Sequence, residues 1–268
     1  MRVAMAQISG TDLPSRNRQI ISEYVARATD AGAGMVVFPE ETLVRLEPVT
    51  TPRAPTAEAL DGPCVTHIRE LARRHRIAVI AGMTERIEGE AVRAYNTVVA
   101  VGTAGEMIGS YRKIHLFDAL GSVESDTTTP GDGTTLVFPF ADHVVGIATC
   151  YDLRFPELAR RLIDRGANVL VYPSAWYRGL LKEDHWEVLL RARAIENVSW
   201  VIGVSHAEGR HIGRSMIVDP MGVITTALAE EPALGIGEVD ARRVVSARCR
   251  NPSLDNRRPG VTHGALES

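Results

Sequence analysis

Val144-Val145-Gly146-Ile147-Ala148-Thr149-Cys150-Tyr151-Asp152-Leu153-Arg154-Phe155-Pro156-Glu157 is the stretch on which the fold turns. Val144 to Thr149 is apolar enough for a strand buried on both faces, and Leu158, Ala159, Leu162 and Ile163 recur at helical spacing just beyond it. A buried strand that feeds an amphipathic helix is half of a β-α-β unit, and Asn168 to Tyr172 supplies the next strand. Cys150 stands at the junction. A side chain there is presented above the sheet edge, where backbone N–H groups such as that of Tyr151 can face developing negative charge.

The same alternation extends in both directions. Upstream, Val3 to Ile8 is a short apolar run, and Ile20, Ile21, Tyr24, Val25 and Ala28 mark a helix that ends at Gly32 and Gly34. Met35 to Phe38 reads as a buried strand closed by Pro39, which cannot donate to a sheet ladder and so pushes Glu40 onto the exit loop. A helix after Asp61-Gly62-Pro63 buries Val65, Ile68, Leu71 and Ala72, and the strand Ile77 to Gly82 follows. Ala94–Val101 and Glu106–Tyr111 flank Gly102-Thr103-Ala104-Gly105, a hairpin turn rather than a crossover. Residues 115–134 lack a period and read as a long loop near the site.

Downstream, a helix spans Glu183 to Glu196, and strands follow near Trp200–Val204, Arg214–Val218, Val223–Ala227 and Gly235–Val239. Two sets of apolar strands with amphipathic helices are best satisfied by two sheets face to face with helices outside, an α/β four-layer α-β-β-α sandwich. The expected organisation is a single domain over 1–268, with 241–268 an irregular C-terminal tail.

Composition narrows the function. The 30 basic and 33 acidic residues of this 268-residue chain are scattered and sum to −3, so no cationic field exists to attract nucleic acid. No apolar run approaches the ~20 residues of a membrane span, and the opening Met1-Arg2-Val3-Ala4-Met5-Ala6-Gln7 soon turns polar, which favours a cytoplasmic protein. Cys64, Cys150 and Cys249 are too few for a disulfide framework and form no CxxC pair. His185, His206, His211 and His263 lack zinc-ligand spacing, and no glycine-rich phosphate motif follows a strand; neither a metal nor a cofactor is expected.

A lone cysteine at a strand end is more often a small core residue than a nucleophile, and an acid or lysine after a strand is usually a solvated loop charge. What reverses this is the set: Glu40, Lys113 and Cys150 each lie at a strand exit, as a shared rim site requires. Amide bonds resist neutral water, and their hydrolysis needs a nucleophile, a proton carrier and a stabiliser of the tetrahedral oxyanion.

The Phe38-Pro39-Glu40 block, the Tyr111-Arg112-Lys113-Ile114-His115-Leu116-Phe117 block and the Cys150-to-Glu157 block together resemble the three signatures of the nitrilase, or carbon–nitrogen hydrolase, superfamily. Similarity continues through His185-Trp186-Glu187, Arg193 to Asn197 and Gly213 to Pro220, so it covers nearly the whole chain. The resemblance implies that Glu40 is the general base, Lys113 the cation that with the Tyr151 N–H holds the oxyanion and favours thiolate, and Cys150 the nucleophile. It also makes Glu124 a second glutamate that orients substrate and Lys113. Cys150-Tyr151-Asp152, in place of the Cys-Trp-Glu expected of true nitrilases, favours amides. The Nit-type amidases, among them omega-amidases and deaminated glutathione amidases, are the most similar branch, and a homodimer is expected from the same resemblance.

The expected substrate is a small carboxylate-bearing amide. Its specificity would sit in Ser174-Ala175-Trp176-Tyr177-Arg178-Gly179, with Trp176 as an aromatic wall and Arg178 as the cation for the carboxylate. Arg154, Glu157, Arg193 and Glu196 are expected to form buried ion pairs that brace the nucleophile turn. The alternatives are an N-carbamoyl amide hydrolase, or a catalytically silent interaction module that has kept the sandwich.

Overall fold

Thirteen strands and five α-helices alternate along residues 1–258, the part of the chain that the computed structural model describes. The first half runs β1 (Arg2–Gln7), α1 (Pro14–Asp30), β2 (Met35–Val37), α2 (Pro63–His75), β3 (Ala78–Glu85), β4 (Ala94–Val101) and β5 (Met107–Arg112). The second runs β6 (Thr128–Thr129), β7 (Leu136–Phe140), β8 (His143–Ile147), α3 (Pro156–Asp164), β9 (Val169–Ser174), α4 (Lys182–Asn197) and β10 (Trp200–Ser205). β11 (Met216–Val218), β12 (Ile224–Ala227), β13 (Ala233–Glu238) and α5 (Ala241–Arg250) complete it. Pro14, Pro63 and Pro156 each occupy the first turn of a helix, where the missing N–H costs nothing and the fixed φ suits the helical start.

The strands form two sheets, ordered β13-β1-β2-β3-β4-β5, with β6 beside β4, and β12-β11-β10-β9-β8-β7. Period-two alternation explains how the first sheet is sandwiched. Val3, Met5, Met35, Val37, Ala78, Ile80, Val98 and Ala100 enter the core shared with the second sheet. Their neighbours Ala4, Ala6, Val36, Phe38, Val79, Ala81, Val99 and Val101 pack under α1 and α2. Both faces are buried, as the unbroken apolar runs require. On the far side, Leu158, Leu162, Leu190 and Ala194 lay α3 and α4 against the second sheet. The expected α-β-β-α sandwich is the observed fold.

β1, β2 and β3 are parallel, as are β8, β9 and β10, while the flanking pairs are antiparallel. Because β4 turns back between β3 and β5, β5 exits at the same edge as β2 and β3. Glu40 and Lys113 are therefore delivered to one rim.

Three expectations need correction. The irregular tail from Ala241 is a helix as far as Arg250: Asp240 caps it by accepting from the Arg242 N–H, and Val244 and Ala247 are buried. The rest of the proposed tail, through 258, lies outside helix and strand, and 259–268 lies outside the described residues, as does His263. Residues 115–134 are not wholly loop, since they contain a 3-10 turn at Glu124–Asp126 and β6. β7 has no counterpart in the sequence reading; Pro139 interrupts its hydrogen-bonding capacity, which is tolerable because β7 is the edge of its sheet.

Candidate active site

The nucleophile turn is locally defined. After β8 the chain extends through Thr149 and then enters a 3-10 turn over Cys150–Arg154, with Cys150 itself in the left-handed region at φ 46°. A non-glycine residue held there is strained and persists only where its surroundings over-determine it. Asp152 does much of that work. Fully buried, it accepts from the Thr149 N–H at 2.9 Å and the Tyr111 hydroxyl at 2.6 Å, and its other oxygen accepts from the His115 N–H at 3.1 Å and lies 2.7 Å from His115 Nδ1. His115 in turn stacks on Phe155 at 3.7 Å. Arg193 donates twice to the Leu153 carbonyl, at 3.1 and 2.8 Å, and pairs with Glu196 at 2.8 Å. The bracing role expected of Arg193 and Glu196 is present, but Glu157 is exposed and Arg154 lies over the Trp176 ring at 5.2 Å rather than in a buried ion pair.

Glu40, Lys113 and Glu124 meet opposite this turn, each no more than 4% exposed. Lys113 Nζ lies 2.9 Å from Glu40 Oε1 and 3.1 and 2.8 Å from the two oxygens of Glu124. Asn96, from the middle of β4, donates to Glu40 Oε1 at 2.7 Å and to Glu124 Oε1 at 3.2 Å. The Ala175 N–H donates to Glu40 Oε2 at 2.7 Å, and the Phe117 N–H to Glu124 Oε2 at 2.6 Å. Gly82 lets the Glu40 segment lie flat on β3, since an added Cβ would sit 2.6 Å from the Glu40 Cα.

These contacts decide which groups carry charge. Burial alone would raise the Glu40 pKa, but the Lys113 charge and the hydrogen bonds from Lys113, Cys150 and Ala175 hold it below the ordinary glutamate value. Burial likewise works against the Lys113 ammonium, and Glu124 and Glu40 more than restore it. Cys150 is raised well above a free thiol, by burial first and then by Glu40, against the pull of Lys113. Lys113 does pull Cys150 toward thiolate, as expected, but burial and the Glu40 carboxylate outweigh it. The resting pair is a thiol hydrogen-bonded to a carboxylate.

Cys150, Glu40, Lys113 and Glu124 all line one cleft. Tyr151, Trp176, Phe117 and Tyr177 form its aromatic walls. Arg178 is not among its lining residues. It is exposed, and its Nε donates to the His211 carbonyl at 2.7 Å, so the cation expected there points into the protein's own backbone. Besides Glu40, Lys113 and Glu124, the charged residues that line the cleft are Glu41, Arg53 and Lys182, which the sequence reading missed. Arg53 and Lys182 fall in segments without a period, so nothing marked them; Asn96 had a signal, as an amide inside an apolar strand run. Cys64 is buried with its pKa pushed up to about 11, chiefly by burial, Cys249 is exposed, and no metal-binding cluster occurs among the described residues.

Glu41 gives the site a titration near neutrality. Burial pushes it up to about 7, against the pull of Arg53 at 2.5 Å and with the repulsion of Glu40. A carboxyl whose folded pKa exceeds its unfolded value of about 4.3 contributes stability in full below that value and loses it as pH rises through the folded pKa. Glu41→Gln is therefore expected to flatten the decline of the thermal midpoint between pH 5 and pH 8. Equal slopes in the two proteins across that window would remove this assignment.

The chain resembles known proteins along nearly its whole length. Residues 2–249 match the carbon-nitrogen hydrolase family model. The chain is 36% identical over 258 residues to a deaminated glutathione amidase of Escherichia coli O157:H7, covering 96% of this chain and 97% of that one. It is 38% identical over 275 residues to a hydrolase of Mycobacterium tuberculosis, covering 96% and 95%. Among solved structures, Nit3 of Saccharomyces cerevisiae, a member of branch 10 of the nitrilase superfamily, superposes with a TM-score of 0.82 at 28% identity over 94% of each chain. In sequence and fold, this chain belongs to the carbon-nitrogen hydrolase family.

Proposed function

We propose that this chain is a thiol-dependent amidase that hydrolyses the carbon–nitrogen bond of a small carboxylate-bearing amide through a thioester on Cys150. The observation that carries the reading is the meeting of a thiol, a buried carboxylate and a buried ammonium, from three strand exits, in one cleft. Glu40, ionised at rest, takes the Cys150 proton as the sulfur attacks the amide carbonyl carbon. The oxygen gains the negative charge and is met by Lys113 Nζ and the Tyr151 N–H. Collapse of the tetrahedral species breaks the carbon–nitrogen bond, and Glu40 passes its proton to the departing amine or ammonia. Glu40 then takes a proton from water as the water oxygen adds to the thioester, and returns it to sulfur as the acid leaves. Glu124 and Asn96 hold Lys113 and Glu40 in place throughout.

A deaminated glutathione amidase among the relatives supports a substrate with a carboxylate near the scissile amide. A single catalytic domain, a homodimer and a cytoplasmic location belong to the same reading. The direct test is incubation with succinamate and with deaminated glutathione, following ammonia or amine release and the intact mass of the protein. A mass increase by one acyl group that disappears on hydrolysis is expected. Release of product without any acylated species would defeat the covalent route, and no release from a broad amide panel would defeat the function.

A further inference from the structure

Three cations line the cleft, and two have their charge answered by the protein. Lys113 lies between Glu40 and Glu124, and Arg53 faces Glu41. Lys182, only 4% exposed, meets no carboxylate at ion-pair distance among the described residues. Its Nζ lies instead 4.8 Å from the centre of the Phe117 ring and 4.6 Å from that of Trp176. We infer that Lys182 is the specificity residue that receives the carboxylate of the substrate, an inference resting on the amidase reading above.

Lys182 bears the cost of its place without an ion-pair partner among the described residues. It is the first residue of α4, where the positive end of the helix dipole repels a positive side chain. Burial draws its pKa down and the like charge of Arg154 adds to that, with Cys150 and Glu183 acting against them. The two rings recover part of the cost, because an aromatic face attracts a cation. What remains is answered by an anion placed in the cleft. Its main chain is fixed at the cleft: its N–H donates to the Gly179 carbonyl at 3.1 Å, and the Trp176 indole donates to its carbonyl at 2.8 Å. Arg53 is a poorer choice. Its Nε lacks a hydrogen-bond partner, but its Nη1 meets Glu41 Oε1 at 2.5 Å, so the protein already supplies it a carboxyl group and it suits a neutral oxygen rather than a second anion.

The test is equilibrium binding to the Cys150→Ala protein, by calorimetry, of succinamate and of butyramide, which differ in having a carboxylate or a methyl group at the end away from the amide. Adding Lys182→Met is expected to weaken succinamate by about tenfold or more relative to butyramide, the effect of losing a charged hydrogen bond. Lys182→Arg is expected to restore part of the preference. Lys182→Gln serves the same purpose should the methionine variant not fold. Equal losses for both ligands, no binding of succinamate with Lys182 intact, or a preference that falls with Arg53→Met and not with Lys182→Met would each overturn the inference. Ammonia release by the intact protein is scored separately. A chain that prefers succinamate through Lys182 yet releases no ammonia keeps this inference and loses the amidase reading; ammonia release without a Lys182-dependent preference does the reverse.

Discussion

Cys150→Ala is expected to lower amide turnover by on the order of 10⁴-fold or more while leaving the thermal unfolding free energy within about 1 kcal/mol of the parent. The two halves of that expectation have separate causes. Turnover falls because the carbonyl carbon has no other sulfur to attack it: Cys64 lies away from the cleft with its pKa pushed up to about 11, chiefly by burial, and Cys249 is on the surface. Stability is nearly kept because the nucleophile turn is held by Asp152 and Arg193 rather than by the sulfur. Intact-mass measurement after incubation with substrate is the check. An acyl adduct on the alanine variant would place the nucleophile elsewhere. Cys64→Ala, by contrast, should leave the adduct in place.

Lys113→Met should damage both activity and the fold. Glu40 and Glu124 share this one ammonium, and all three side chains are buried. Removing one partner of a buried ion cluster costs about 3–5 kcal/mol, because the charges left behind stay desolvated. One carboxyl then relieves the repulsion by keeping its proton, and the base is lost along with the oxyanion donor, so turnover should fall by on the order of 10³-fold or more. Lys113→Met with Glu124→Gln separates the two effects. It removes one negative charge with one positive, and the glutamine oxygen can still accept from the Phe117 N–H, so most of the lost stability should return while turnover does not. Denaturant unfolding together with ammonia release measures both. A double variant as unstable as the single one would show that charge balance is not what Lys113 supplies to the fold.

The alternation of buried strands and helices was legible because β1 to β4 and β8 to β10 are mostly apolar, buried runs of strand length. Glu40, Lys113 and Cys150 were legible for a related reason: each stands within three residues of the end of a strand, β2, β5 and β8, so its place on the rim is set by the strand before it. Trp176 follows β9 just as closely and does line the cleft. Arg178, only two residues further on, does not, since a loop can turn a side chain away within two residues. Arg53 and Lys182 come from segments whose course is set by tertiary packing: Arg53 by backbone bonds from 53 and 54 to the Val92 carbonyl, Lys182 by the Trp176 indole. No local pattern encodes such contacts. The helix α5 escaped notice because only Val244 and Ala247 of its ten residues are buried, too few for a periodic stripe.

Asp152 has a mechanical consequence. It belongs to the turn that follows β8 in one sheet, yet it grips Tyr111 in β5 and His115 just beyond it, in the other. One carboxylate thus rivets the two layers together beside the reacting atoms. Sliding of one layer over the other must shear this rivet before it can alter the gap between sulfur and ammonium, so the working edge of the molecule is where the two layers have the least play.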